Sequence, residues 1–219
     1  MKLAAIHLSK VTALVEVADL VRDGKVFVPD LIKAITTRFE FRKFPDDPAS
    51  FGQPGGLVFE IGKWDGLPIY KLTLFNDGIV LETSATTEET EKALYEILKW
   101  GTELGLVFDE RMISRLLVVS SLAVYLDINL DDLHPVLKRL AAITSERQSE
   151  RMTIPLAYRT SGIAIGASTL TSKFPTAAFT IERRLDVPDS TNKYFSSAPL
   201  HTAEHLNALE EFEIGLRKA

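Results

Sequence analysis

Leu57-Val-Phe-Glu-Ile-Gly-Lys-Trp-Asp-Gly-Leu-Pro-Ile-Tyr-Lys-Leu-Thr-Leu-Phe-Asn-Asp-Gly-Ile-Val-Leu-Glu-Thr83 is the stretch on which the fold class turns. Leu57, Phe59 and Ile61 alternate with polar or smaller neighbours. Residues 68–75 alternate in the same way, and Ile79 to Thr83 is short and β-branched. Period-two alternation places successive side chains on opposite faces of a strand. Asp65-Gly66 and Asp77-Gly78 stand between the runs, and Asp-Gly is a strong hairpin signal because glycine accepts positive φ at no steric cost. The stretch reads as an antiparallel meander of three strands.

A helix is expected immediately after it. Thr86 can cap, Glu89 is placed for a capping box, and Leu94, Ile97, Leu98 and Gly101 form one stripe. Before the meander, residues 45–56 carry three prolines and three glycines and read as a loop that only Phe51 could anchor. Upstream of that loop, Phe39 to Phe44 alternates as a strand. A helix is expected at about 29–38, with Pro29 in its first turn and Leu31, Ile35 and Phe39 on one stripe. Residues 3–20 read as a long strand or strand pair, followed by an Asp23-Gly24 turn.

The order then repeats. Ile113 to Leu126 reads as a long strand and Leu130 to Arg147 as a helix. Strands are expected at 152–159, 161–168, 176–187 and 192–197, and a last helix from Thr202 carries Leu206, Leu209, Phe212 and Leu216 on one face. At an offset of 115, Thr87, Glu89, Ala93, Leu94 and Glu96 fall on Thr202, Glu204, Ala208, Leu209 and Glu211. The expected fold is α+β: a curved antiparallel sheet with helices on one face, made of two β-α-β4-α halves, 1–106 and 107–219. As topology alone, this order taken twice resembles the TATA-binding-protein fold, which implies one saddle-shaped sheet with helices on its outer face. None of that family's sequence motifs is present, so no functional residue carries over.

Composition fits a packed protein: 219 residues, 46% hydrophobic and 25% charged. The absence of cysteine excludes disulfides, thiolate metal sites and a cysteine nucleophile. The first ten residues lack the pattern of a signal peptide, and the apolar run at 116–126 is too short for a membrane span, so a cytoplasmic location is expected. The formal charge of −5 argues against unspecific binding to nucleic acid or anionic membrane.

No phosphate loop, His-Glu-x-x-His or nucleophile elbow is present. His201 and His205 are four apart, but Thr202 as N-cap would turn His201 away, so no metal is assigned there. Asp131 and His134 read as helix-terminus residues, His7 as a core imidazole, and Ser196-Ser197 as turn residues near a helix start. The strands after each first helix, with Arg115 in the long strand, carry nine basic side chains: Arg42, Lys43, Lys63, Lys71, Arg115, Arg159, Arg183, Arg184 and Lys193. They carry five acids: Glu40, Glu60, Glu82, Glu182 and Asp186.

An open sheet face bearing cations and aromatics is a partner surface. The sequence therefore reads as a non-enzymatic binding or assembly protein. Its partner would be another protein or a second copy, and Lys71, Phe75, Arg183 and Lys193 are the candidate contact residues. Nucleic acid on the sheet is the alternative, and an enzyme the third reading. No catalytic residue, cofactor or metal is assigned. In the strand at 68–75, strict alternation puts Tyr70, Leu72 and Leu74 on one side and Ile69, Lys71, Thr73 and Phe75 on the other.

Overall fold

The computed structural model describes residues 1–21, 27–168, 176–184 and 187–218. The expected turn at Asp23-Gly24 and the acid Asp186 lie outside these. The fold is α+β, and every strand pair with a defined register is antiparallel. The chain divides into two compact units. The first comprises Ile6–Ser120 with Pro199–Thr202, and the second Met1–Ala5, Ser121–Ala198 and Ala203–Ala219.

The first unit holds part of β1 (Lys2–Leu14), then α1 (Val17–Leu20), α2 (Val28–Arg38), β2 (Leu57–Trp64), β3 (Leu67–Phe75), β4 (Gly78–Thr83), α3 (Thr87–Gly101) and the start of β5 (Arg115–Tyr125). Its strand order is β2-β3-β4-β1-β5. The core lies between the strands and helices α2 and α3: Val11, Ala13, Leu72, Leu81, Ile32, Ile35, Leu94 and Ile97 are buried in one cluster. The stripe expected on α3 is buried in full, and its capping box forms as read. The Glu89 amide donates to Thr86 Oγ1 at 3.2 Å, and the Thr86 amide donates to Glu89 Oε2 at 3.1 Å.

Three expectations change here. The first strand ends at Leu14, and Val17–Leu20 is a helical turn. Residues 39–44 do not form a strand. Glu40 takes φ 51° and Ile61 opposite takes φ 59°, which interrupts the ladder and leaves a single bridge, Lys43 to Glu60. Phe39 and Phe41 sink into the core instead, and Gly62 permits it: a Cβ there would lie 2.5 Å from the Phe41 ring and 2.8 Å from the Phe39 carbonyl oxygen. The third change is the second hairpin. Phe75 pairs with Gly78, so Asn76-Asp77 form its loop and Gly78 is already strand, close against the Ala13 carbonyl. The first hairpin turns as read, with Asp65 at φ 44° and Gly66 at φ 82°. Within the loop at 45–56, Pro48–Gly52 makes a 3₁₀ turn capped by Asp47, and Phe51 packs on the core.

In the second unit the strand order is β1-β5-β8-β7-β6, with β6 (Gly162–Ile165), β7 (Phe179–Arg183) and β8 (Lys193–Ala198). The strand expected at 152–159 is absent. Helix α4 (Pro135–Met152) starts later than Leu130, because Pro135 can sit only in a first turn, and it runs past Arg147 to Met152. His134 caps it, with Nδ1 accepting from the Val136 amide at 3.2 Å. No residue of α4 is buried. The helix is held by Ser145 and Ser149, which bond the backbone of Tyr158 and Leu156, and it leaves Val136, Leu140 and Ile143 exposed.

Helix α5 (Thr202–Lys218) packs through Leu209 and through Glu213, whose buried carboxylate accepts from the Met1 amine at 2.6 Å and from the Asp127 amide. That carboxylate holds the Met1 amine above its ordinary pKa. Among the described residues, no helix is long and apolar enough to cross a membrane.

Candidate functional site

The face of the first unit turned away from α2 and α3 is organised by register. Lys10 pairs with Glu82, Glu82 with Lys71, Lys71 with Glu60, and Glu60 with Lys43. Residues directly opposite in antiparallel strands share a face, so five side chains of alternating sign make one row across the strands. Lys10 Nζ lies 3.7 Å from Glu82 Oε1, and Lys43 Nζ lies 3.3 Å from Glu60 Oε2. The adjacent row, Val58, Thr73, Val80 and Thr12, is uncharged, and beyond it Phe75, Gly78 and Leu14 stand in register. Lys71 and Phe75 are half-buried and alternate with Leu72 and Leu74, which belong to the core.

Ile69 departs from the expected partition. It is buried in the same cluster as Leu72 and Leu74, while Tyr70 is exposed. The cause is a register shift between Ile69 and Lys71 against β4, where one extra residue reverses the alternation for everything on its far side.

In the second unit, the face opposite α5 carries two cation–aromatic pairs. Lys193 Nζ is 5.3 Å from the centroid of Tyr125, and the Arg184 guanidinium is 4.4 Å from that of Phe195. Ser121 and Ser197 hydroxyls lie 3.2 Å apart on this face. Arg183 is not there. It is buried on the helix side, donating from Nη2 to Asn129 Oδ1 at 2.8 Å and to Asp131 Oδ2 at 3.4 Å, with its guanidinium 5.7 Å from the Tyr194 centroid. Of the adjacent arginines, Arg184 shares the face with Lys193, as alternation requires of neighbours in a strand.

The remaining polar candidates have other duties. Asp131 also accepts from the Thr160 amide at 2.9 Å and so ties two loops together, while His134 caps α4. His7 is exposed, correcting its reading as a core imidazole; the inward residues of β1 begin at Ser9. His201 Nε2 lies 3.7 Å from Glu91.

His205 is fully buried in α5, edge-on to the Phe179 ring, with Nε2 2.8 Å from Ser196 Oγ. Ser196 spends its one proton on the Thr180 carbonyl at 2.7 Å, so the imidazole donates to Ser196 from Nε2. A ring that already carries its proton on that nitrogen cannot take one from Ser196, so this serine is not an activated nucleophile. Burial pushes the His205 pKa down to about 4. Among the described residues, no group of three or more His, Asp or Glu stands where it could hold a metal ion.

The first unit also contains an apolar cavity of about 360 Å³, on the helix side of its strands. It lies among α2, α3, β3, β4 and the 3₁₀ turn that carries Phe51. Among the described residues its walls are aliphatic or aromatic side chains and Gly101. The sequence placed Leu31, Ile35, Ile97, Leu98 and Gly101 on helix stripes, and nothing in their spacing distinguishes a filled core from a hollow one. Set against known protein families and curated proteins, the chain matches none.

Proposed function

We propose that this is a non-enzymatic binding or assembly protein of the cytosol whose partner, another protein chain, seats on the strand faces turned away from the helices. The observation that carries the reading is the row Lys43, Glu60, Lys71, Glu82 and Lys10. Each inner charge is flanked by opposite ones, so the row offers direction and register to a partner without a strong field of one sign. Beside it lie half-buried apolar groups such as Leu14 and Phe75. Apolar area beside fixed polar groups is the composition of protein interfaces.

The halves 1–106 and 107–219 are inferred to be duplicates within a TATA-binding-protein-like topology. The strand orders β2-β3-β4-β1-β5 and β6-β7-β8-β5-β1 support this. So do Thr87 and Thr202, the first residues of α3 and α5, which are 115 positions apart. Each backbone amide donates to the other's hydroxyl, at 2.9 and 2.7 Å. That separation equals the offset at which the two helices share residues.

A second reading, single-stranded or duplex nucleic acid, is favoured by the Lys193–Tyr125 and Arg184–Phe195 pairs, since cations beside aromatics suit phosphates and bases. Co-purification of the tagged chain with quantitative mass spectrometry separates the two. The wild type should retain a protein partner in stoichiometric amount, and Lys71→Ser with Phe75→Ser should lower recovery at least tenfold while the circular dichroism spectrum is kept. Unchanged recovery would overturn the assignment of the face. Binding of oligonucleotides that weakens steeply between roughly 50 and 200 mM salt, and is lost with Lys193→Glu, would favour the second reading instead.

A further inference from the structure

The cavity in the first unit is large for a core. Protein interiors are packed at the density of organic crystals, with few voids bigger than a water molecule. A dry apolar cavity of about 150 Å³ already accepts benzene, and small-molecule sites begin at about 300 Å³. At about 360 Å³ this space is on that second scale. Among the described residues its lining is uniform: Ile35 from α2, Ile97 and Leu98 from α3, Leu72 and Leu74 from β3, and Ile79 from β4. Among the described residues, its wall does not offer the two to four polar partners that hold a buried water in place. Against these side chains an ionised group would stand in a medium that penalises charge.

We infer that this cavity is a binding site for one uncharged, hydrocarbon-rich small molecule of about bicyclic-aromatic size or an equivalent aliphatic chain. Phe51 forms part of the wall from outside the sheet and helices. It sits in the turn Pro48–Gly52, which the capping bond from the Ala49 amide to Asp47 holds at 2.9 Å. The site is separate from the charged row, so the inference stands whichever partner occupies the strand faces.

The probe is N-phenyl-1-naphthylamine, whose fluorescence rises in apolar surroundings. The wild type is expected to bind one probe per chain saturably and to gain thermal midpoint with probe concentration. Val28→Trp or Leu31→Trp, both half-buried positions lining the cavity, places an indole into the space and should weaken probe binding at least tenfold, with an equal or higher midpoint. Leu140→Lys with Ile143→Lys, on the exposed stripe of α4, should leave the affinity unchanged.

Loss of binding in the α4 variant but not in the tryptophan variants would place the probe on α4 and overturn the inference, as would the absence of saturable binding. If the tryptophan variants fail to fold, methyl-labelled wild type with naphthalene decides. Nuclear Overhauser contacts from naphthalene to the methyls of Ile35, Leu72 and Leu98 are expected, and their absence overturns the assignment.

Discussion

Acidifying the protein should remove stability through the buried His205. The ring is fully buried between α5 and β7–β8, and its pKa falls from 6.5 to about 4 because the charged form would lose its water. A depressed histidine pKa means that the unfolded chain takes up the proton first. Stability is therefore intact above pH 6.5, declines as pH falls from 6.5 to about 4, and loses nothing further from this group below that. At about 1.4 kcal/mol per pH unit, the full window is worth about 3 kcal/mol, and the drop from pH 7 to pH 4.5 about 2.5 kcal/mol.

The assay is urea unfolding at fixed ionic strength from pH 7.5 to 4, for the wild type and for His205→Gln. Glutamine can still donate to Ser196 but does not titrate, so the difference between the two proteins isolates the histidine from the carboxylates. The wild type should lose about 2.5 kcal/mol more than the variant between pH 7 and 4.5. In parallel, the His205 ring proton should titrate below pH 5. A midpoint near 6.5, or parallel pH profiles for the two proteins, would refute the argument that burial governs this ring.

The Thr87–Thr202 pair joins the first residues of two helices, so Thr202→Val should cost about 1–2 kcal/mol, read by thermal or chemical unfolding. In a double-mutant cycle with Thr87→Val, each change removes a different amide–hydroxyl bond while both remove the 3.1 Å contact between the hydroxyls, so the two losses should add except for that shared contact. Gly62→Ala should destabilise by about 1–3 kcal/mol: its new carbon would meet the Phe39 carbonyl, which is backbone and cannot swing aside. A stability within experimental error of wild type would show that the 39–44 segment shifts freely.

What the residues determined alone is local. The capping box at Thr86 and Glu89, the buried stripe of α3 and the Asp65-Gly66 turn all depend on neighbours within four positions, where backbone preference and side-chain reach suffice, whereas Thr202, expected as an N-cap, is the first residue of α5 and its hydroxyl bonds the distant Thr87. Pro135 and His134 set the start of α4 by the same logic, and the expectation of Leu130 failed only because it gave the proline too little weight.

What the tertiary structure decided depends on pairing between distant segments. The charged row exists only once β1 lies beside β4, some seventy residues away, in the register that sets Lys10 against Glu82. The burial of Ile69 needs the extra residue in β3, and the loss of a strand at 39–44 needs the left-handed turn at Glu40, neither of which alternation can announce. Arg183 and Arg184 are identical residues in adjacent places, and only the side on which α5 packs made one buried and the other a surface cation. The hollow beneath α2 and α3 is the extreme case. Periodicity reports which side chains face inward, whereas whether they meet depends on the spacing between layers, which no single segment encodes.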